Sequence, residues 1–258
     1  MARAPRRRLH EMPVVSLVPS AITVLALLAG LTSIGFALQG KWGLAVFSIV
    51  VAAICDGLDG SMARLLNSSS RFGAELDSLS DFLSFGVAPA LLLFEWTMQD
   101  VRGFGWGAVL IFATCGALRL ARFNSELDSE VEPPAWTKKF FTGVPAPAGG
   151  AIAMLMLFAF HATGWEVFRS PHLNAFWLII VGLLMVSSVP TFSVKKARLR
   201  NDLMVPAMVI LVLVTVALIS FPWQSLAVFG IAYLASVPFA VRAAGRLRNA
   251  EEASVTAD

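Results

Sequence analysis

Residues 56–81 read DGLDGSMARLLNSSSRFGAELDSLSD, and they sit between two apolar runs, GLAVFSIVVAAIC at 43–55 and FLSFGVAPALLLF at 82–94. Asp56 and Asp59 are three residues apart and share one face of a helix, which Gly60, Ala63 and Arg64 continue at offsets of four, seven and eight. After the polar turn NSSSR the chain becomes apolar again, and Gly73, Asp77 and Asp81 recur every four residues on one face of a second helix. Two antiparallel helices joined in this way bring two pairs of carboxylates toward each other. Gly60, Ala63 and Gly73 keep the shared face free of bulk.

An aspartate inside a membrane costs about 2.5–3.5 kcal/mol even on the permissive insertion scale, so four uncompensated ones would cost on the order of 10 kcal/mol. Arg64 and Arg71 are the only cations nearby in sequence, too few to neutralise the set. Divalent metal suits it better. Oxygen-only donors favour a hard ion such as Mg²⁺, Mn²⁺ or Ca²⁺, and the lack of histidine or thiolate nearby argues against zinc. Four carboxylates suffice for two ions bridged by shared oxygens, an arrangement suited to displacement at phosphorus. A single aspartate at a helix end is often only a solvated or capping residue, and Asp59 alone would pass for one. Four at these spacings do not fit that description.

The rest of the chain sets these residues in a membrane. It has 258 residues, 57% hydrophobic and 14% charged, with a mean hydropathy of +0.74. This is the composition of an all-α, polytopic transmembrane bundle. Apolar segments near the roughly 20 residues needed for a crossing fall at 16–38, 41–65, 72–97, 103–124, 145–163, 173–190, 202–221 and 223–243, about eight spans. With a cytoplasmic N-terminus, fourteen Lys and Arg flank the spans on the inner side, and three, Lys41, Arg102 and Arg169, flank them outside. Six of the seven tryptophans, all but Trp136, then fall at outer ends or loops as an interfacial belt. Both termini and the aspartates are accordingly expected at the cytoplasmic face.

Residues 1–13 read as a basic cytoplasmic segment, 14–243 as the transmembrane catalytic domain and 244–258 as a polar tail without fixed structure. The basic-then-apolar start is expected to be an uncleaved first helix, since its apolar run is long and more spans follow. Cys55 and Cys115 lie in apolar segments and read as small buried residues rather than a disulfide.

The 56–81 stretch matches, at all eight fixed positions, the signature D-x-x-D-G-x-x-A-R-x8-G-x3-D-x3-D of the CDP-alcohol phosphotransferases, and on it the chain is identified as resembling that family. GAELDSLSDFLSFGVAPALLL (73–93), CGALRLARFN (115–124), FTGVPAPAGG (141–150) and SSVPTFSVKK (187–196) are most similar to its bacterial phosphatidylserine synthase branch. The resemblance implies a bacterial inner-membrane enzyme that uses CDP-diacylglycerol and L-serine to make phosphatidylserine and CMP, with Mg²⁺ or Mn²⁺, two ions, as cofactor. It also implies roles. Asp56, Asp59, Asp77 and Asp81 are metal ligands, with Asp81 also the general base. Gly60, Ala63, Arg64 and Gly73 hold the nucleotide, where glycines admit close approach and arginine offers a planar fork to the diphosphate.

Arg119 and Arg122, with Asn124 beyond, are expected to bind the serine carboxylate, although arginines at a helix end also serve as membrane anchors. Lys138, Lys139, Lys195 and Lys196 are expected at lipid headgroups. Members of the family typically dimerise, so a homodimer is implied, and nucleic acid is not an expected partner. The resemblance departs at one place: many relatives carry Pro-Asn near the first span, and here Ser20 follows Pro19. The alternatives are a family member acting on glycerol 3-phosphate, inositol or choline, a cation transporter using the aspartates as an ion path, or a catalytically inert lipid-binding scaffold.

Overall fold

The computed structural model describes residues 17–66, 70–127, 140–192 and 204–255. Helices account for almost all of it: α1 (Leu17–Ala37), α2 (Trp42–Leu65), α3 (Arg71–Asp81), α4 (Ala88–Thr97), α5 (Arg102–Leu127), α6 (Ala146–Ala153), α7 (Leu155–Thr163), α8 (Pro171–Val186), α9 (Met204–Ser220) and α10 (Pro222–Val255). In hydrocarbon each backbone polar group must be paired within its own segment, which leaves a helix as the economical solution for these apolar runs.

Every one of the eight expected segments coincides with a helix or a helix pair. Among the described residues, however, four helices are long and apolar enough to cross a membrane, or five if the α6–α7 pair, bent by 41°, is one span. The expected eight exceeds that number because α8 and α9 are short and because Arg71–Glu126 runs as one 56-residue apolar stretch.

Small residues set the helix packing around the aspartates. The buried face of α1 is Pro19, Thr23, Ala26, Gly30, Ser33 and Ala37, spaced alternately four and three apart. This stripe lets α1 lie close to α2 and to the third helical segment. A Cβ at Gly30 would come within 3.0 Å of the Ser84 Cα. Hydroxyls join the helices there: Ser80 donates to the Thr23 carbonyl and Ser84 to the Ala26 carbonyl, each at 3.3 Å. Between α3 and α4 the chain widens into a π-helical segment, Phe82–Val87, beginning at the residue after Asp81.

Two features lie beyond the sequence reading. Phe140–Thr142 (β1) and Pro190–Phe192 (β2) pair antiparallel, Phe141 opposite Thr191, as a two-stranded ribbon. The polar tail, expected to lack fixed structure, is instead helical as far as Val255 and continues α10, in keeping with its run of alanine, arginine and glutamate. Both cysteines are free, and Cys115 is buried. Residues 1–13, Trp136, Lys138, Lys139, Lys195 and Lys196, with their expected roles, lie outside the described residues.

Candidate active site

Carboxylate oxygens of Asp56, Asp59 and Asp77 all lie within 4.8 Å of one another, two helices contributing to one cluster. Asp59 is 4% exposed, and Asp56 and Asp77 are half-buried. Oxygen atoms this close, of one charge and largely removed from water, form a fitting cage for a divalent cation. Asp81, one turn beyond Asp77, stands next to the cluster: its side chain is in hydrogen-bonding contact with Asp56, and Asp77 and Arg119 are its charged neighbours.

Beside the cluster lies a cavity of about 180 Å³ lined by Asp59, Gly60, Ala63, Gly73 and Asp77 together with Ser20 and Thr23 of α1. The signature's small residues therefore face open space next to the carboxylates. A Cβ at Gly73 would sit 3.1 Å from the Ser70 Oγ, a tight approach, and 3.6 Å from the Ser20 Oγ, an ordinary contact. Ser70 caps α3, its hydroxyl accepting from the Gly73 N–H at 2.9 Å. The cap satisfies one of the free N–H groups at the start of the helix that carries Asp77.

Arg64 is exposed and does not line the cavity. Its guanidinium donates to Ser61 at 3.2 Å and lies 3.7 Å from where a Cβ of Gly60 would be.

The Arg119–Arg122–Asn124 group is divided. Arg119 is buried, 9% exposed, and neighbours Asp81. Arg122 is engaged elsewhere: it donates to the carbonyls of Val186 at 3.1 Å and Ser187 at 3.3 Å, closing the end of α8, and its Nε is 3.9 Å from Glu126. Asn124 donates to the Ser78 hydroxyl at 2.9 Å and so ties α5 to α3.

The sequence reading missed one residue with a direct hold on the cluster. Thr23 donates from its hydroxyl to Asp59 Oδ2 at 2.6 Å. Its signal was present, since Ser20 and Thr23 are polar, three apart, on the small-residue face of α1. Only the packing of α1 on α2 shows what they meet.

The chain is similar to known proteins over most of its length. Residues 16–186 match the family profile described as CDP-alcohol phosphatidyltransferase, and residues 202–238 match CDP-alcohol phosphatidyltransferase 2. A CDP-diacylglycerol–serine O-phosphatidyltransferase of Mycobacterium bovis is 40% identical over 231 residues, 88% of this chain and 79% of its own. Its counterpart from Helicobacter pylori is 32% identical over 218 residues, 84% of this chain and 88% of its own. An archaetidylserine synthase of Methanothermobacter thermautotrophicus is 34% identical over 173 residues, 66% of this chain and 67% of its own.

Proposed function

The chain belongs to the CDP-alcohol phosphatidyltransferase family, and from that premise we propose that it transfers the phosphatidyl group of CDP-diacylglycerol to L-serine. It is an integral membrane transferase of phospholipid biosynthesis, and its products are phosphatidylserine and CMP. The reading is supported above all by the convergence of Asp56, Asp59 and Asp77 beside a cavity lined by Gly60, Ala63 and Gly73.

In this reading Asp56, Asp59, Asp77 and Asp81 hold Mg²⁺ or Mn²⁺, as two ions, whose positive charge offsets that of the diphosphate and of the departing CMP. The CDP moiety lies along Gly60, Ala63 and Gly73, and the exposed Arg64 swings to its diphosphate. Arg119 receives the serine carboxylate, while Arg122 and Asn124 hold α5 against α8 and α3 around it. Asp81 accepts the proton of the serine hydroxyl. The serine oxygen then bonds to the lipid-linked phosphorus as the bond from that phosphorus to the CMP oxygen breaks, in line.

The catalytic domain spans 14–243 of a bacterial-type inner-membrane protein whose termini and active site face the cytoplasm, and two copies pair as a homodimer. The orientation rests on the fourteen-to-three placement of basic residues. A lateral opening at that face serves both substrates, because CDP-diacylglycerol stays in the bilayer and serine arrives from water.

The test is an acceptor panel on purified protein supplied with CDP-diacylglycerol: serine, glycerol 3-phosphate, inositol and choline. CMP release with serine is the expected result, and release with another alcohol but not with serine overturns the proposal.

A further inference from the structure

On α5 and α10 two buried polar atoms stand without a hydrogen bond of ordinary geometry. Arg119 Nε, on α5, and the Tyr233 hydroxyl, on α10, have no hydrogen-bond partner among the described residues. Burying a donor without a partner is costly, and such atoms in a native fold call for an explanation. These two are electrostatic neighbours of each other, and Arg119 also neighbours Asp81. Tyr233 is the single tyrosine of the chain. The helix carrying it packs against the β-ribbon, where Thr191 is the polar neighbour of its hydroxyl. The Thr191 hydroxyl donates to the Gly143 carbonyl at 2.9 Å, so toward Tyr233 it can only accept.

We infer that Tyr233 is a substrate-binding residue. Its hydroxyl and the Arg119 guanidinium together form a clamp for a single carboxylate, that of the amino-acid acceptor, and hold it on the far side of Asp81 from the nucleotide. The inference rests on the transfer to serine proposed above and adds a residue from the last helix to it.

The charge of the clamp sets the class of ligand. Arg122 is committed to the carbonyls of Val186 and Ser187, so one cation and one neutral hydroxyl are left for a ligand. That complement suits a monoanion. A phosphorylated alcohol, with nearly two negative charges, would find half of its charge unmet. A carboxylate held by Arg119 leaves the hydroxymethyl arm of serine free to turn toward Asp81, the neighbour of Arg119. The clamp thus selects the acceptor by its carboxylate and aims its hydroxyl with the same contact.

The test uses full-length protein with CDP-diacylglycerol in mixed micelles and compares the wild type with Tyr233→Phe and Arg119→Lys. Tyr233→Phe removes one hydroxyl and keeps the ring. The expected result is a serine KM raised about tenfold, the scale of one lost hydrogen bond to a charged group, with kcat and the KM for CDP-diacylglycerol within about twofold of wild type. Arg119→Lys, which deletes the Nε donor, is expected to raise the serine KM selectively as well. An unchanged serine KM in Tyr233→Phe overturns the inference, and so does an equal loss in every parameter. CMP release by the wild type with glycerol 3-phosphate as readily as with serine overturns the monoanion assignment. The wild-type arm separates the two levels: if serine releases no CMP there, the proposed function itself fails and the clamp falls with it.

Discussion

The hydroxyl of Thr23 on α1 donates to Asp59 Oδ2 on α2 across 2.6 Å, and both residues are buried. The same α1 face supplies Ser20 and Pro19 to the cavity wall, so the first helix serves as the support that orients a cluster built by the second and third. A carboxylate restrained in this way keeps its free oxygen directed at its partners, and removing such a support lowers metal affinity by about 10–100-fold in metal sites generally. Thr23→Val keeps the shape and removes the donor. It is expected to raise the Mg²⁺ or Mn²⁺ concentration needed for half-maximal CMP release by about that factor, while Thr23→Ser stays close to wild type. An unchanged metal requirement in Thr23→Val would count against the supporting role.

Chelation is expected to abolish CMP release, and added Mg²⁺ or Mn²⁺ to restore it. Three carboxylates, those of Asp56, Asp59 and Asp77, gather within 4.8 Å of one another. In Asp77→Asn, restoration at the wild-type metal concentration should fail. Asp81→Asn is expected to lose about 10²–10⁴-fold in kcat, the range for a missing general base. Near-normal turnover in Asp81→Asn would remove it from that role.

Gly73→Ala tests the nucleotide cavity. Its Cβ would press on the Ser70 Oγ at 3.1 Å and enter the space shared with Ser20. Overpacking of this kind costs about 1–3 kcal/mol. If it is felt in the bound state, the KM for CDP-diacylglycerol rises by roughly tenfold, and the KM for serine does not move. A rise confined to serine would show that the cavity holds the other substrate.

Arg122 is expected to answer as a structural residue. Arg122→Gln leaves the carbonyls of Val186 and Ser187 without their donors, and Gly143→Ala strains the adjoining turn, where φ is +79° and a Cβ would lie 2.8 Å from the Ser187 carbonyl. Each is expected to lower the unfolding temperature of the detergent-solubilised protein, by about 1–3 kcal/mol of stability. The serine KM of Arg122→Gln should stay within about twofold. A large, selective change in that KM would return Arg122 to the acceptor site.

The primary sequence by itself determined that the chain is a helical membrane protein and that four aspartates lie on facing positions of two successive helices. Both follow from short-range rules: apolar runs long enough for hydrocarbon, and offsets of three and four that place side chains on one face. Asp56 with Asp59, and Gly73 with Asp77, needed nothing further, because a helix carries its own geometry and α2 and α3 follow each other closely in the chain. What only the tertiary structure decided lies between residues far apart in the chain. Thr23 reaches Asp59 across 36 residues and Arg122 reaches Val186 across 64. The β1–β2 ribbon joins Phe140 to Phe192, and Tyr233 of α10 comes into the electrostatic neighbourhood of Arg119 of α5. No local spacing encodes such meetings, since they depend on which small residues let one helix approach another. That is why Arg119 and Arg122, equal in sequence as two arginines on one helix face, differ in the fold: one turns toward the aspartates and the other is held by the carbonyls of α8.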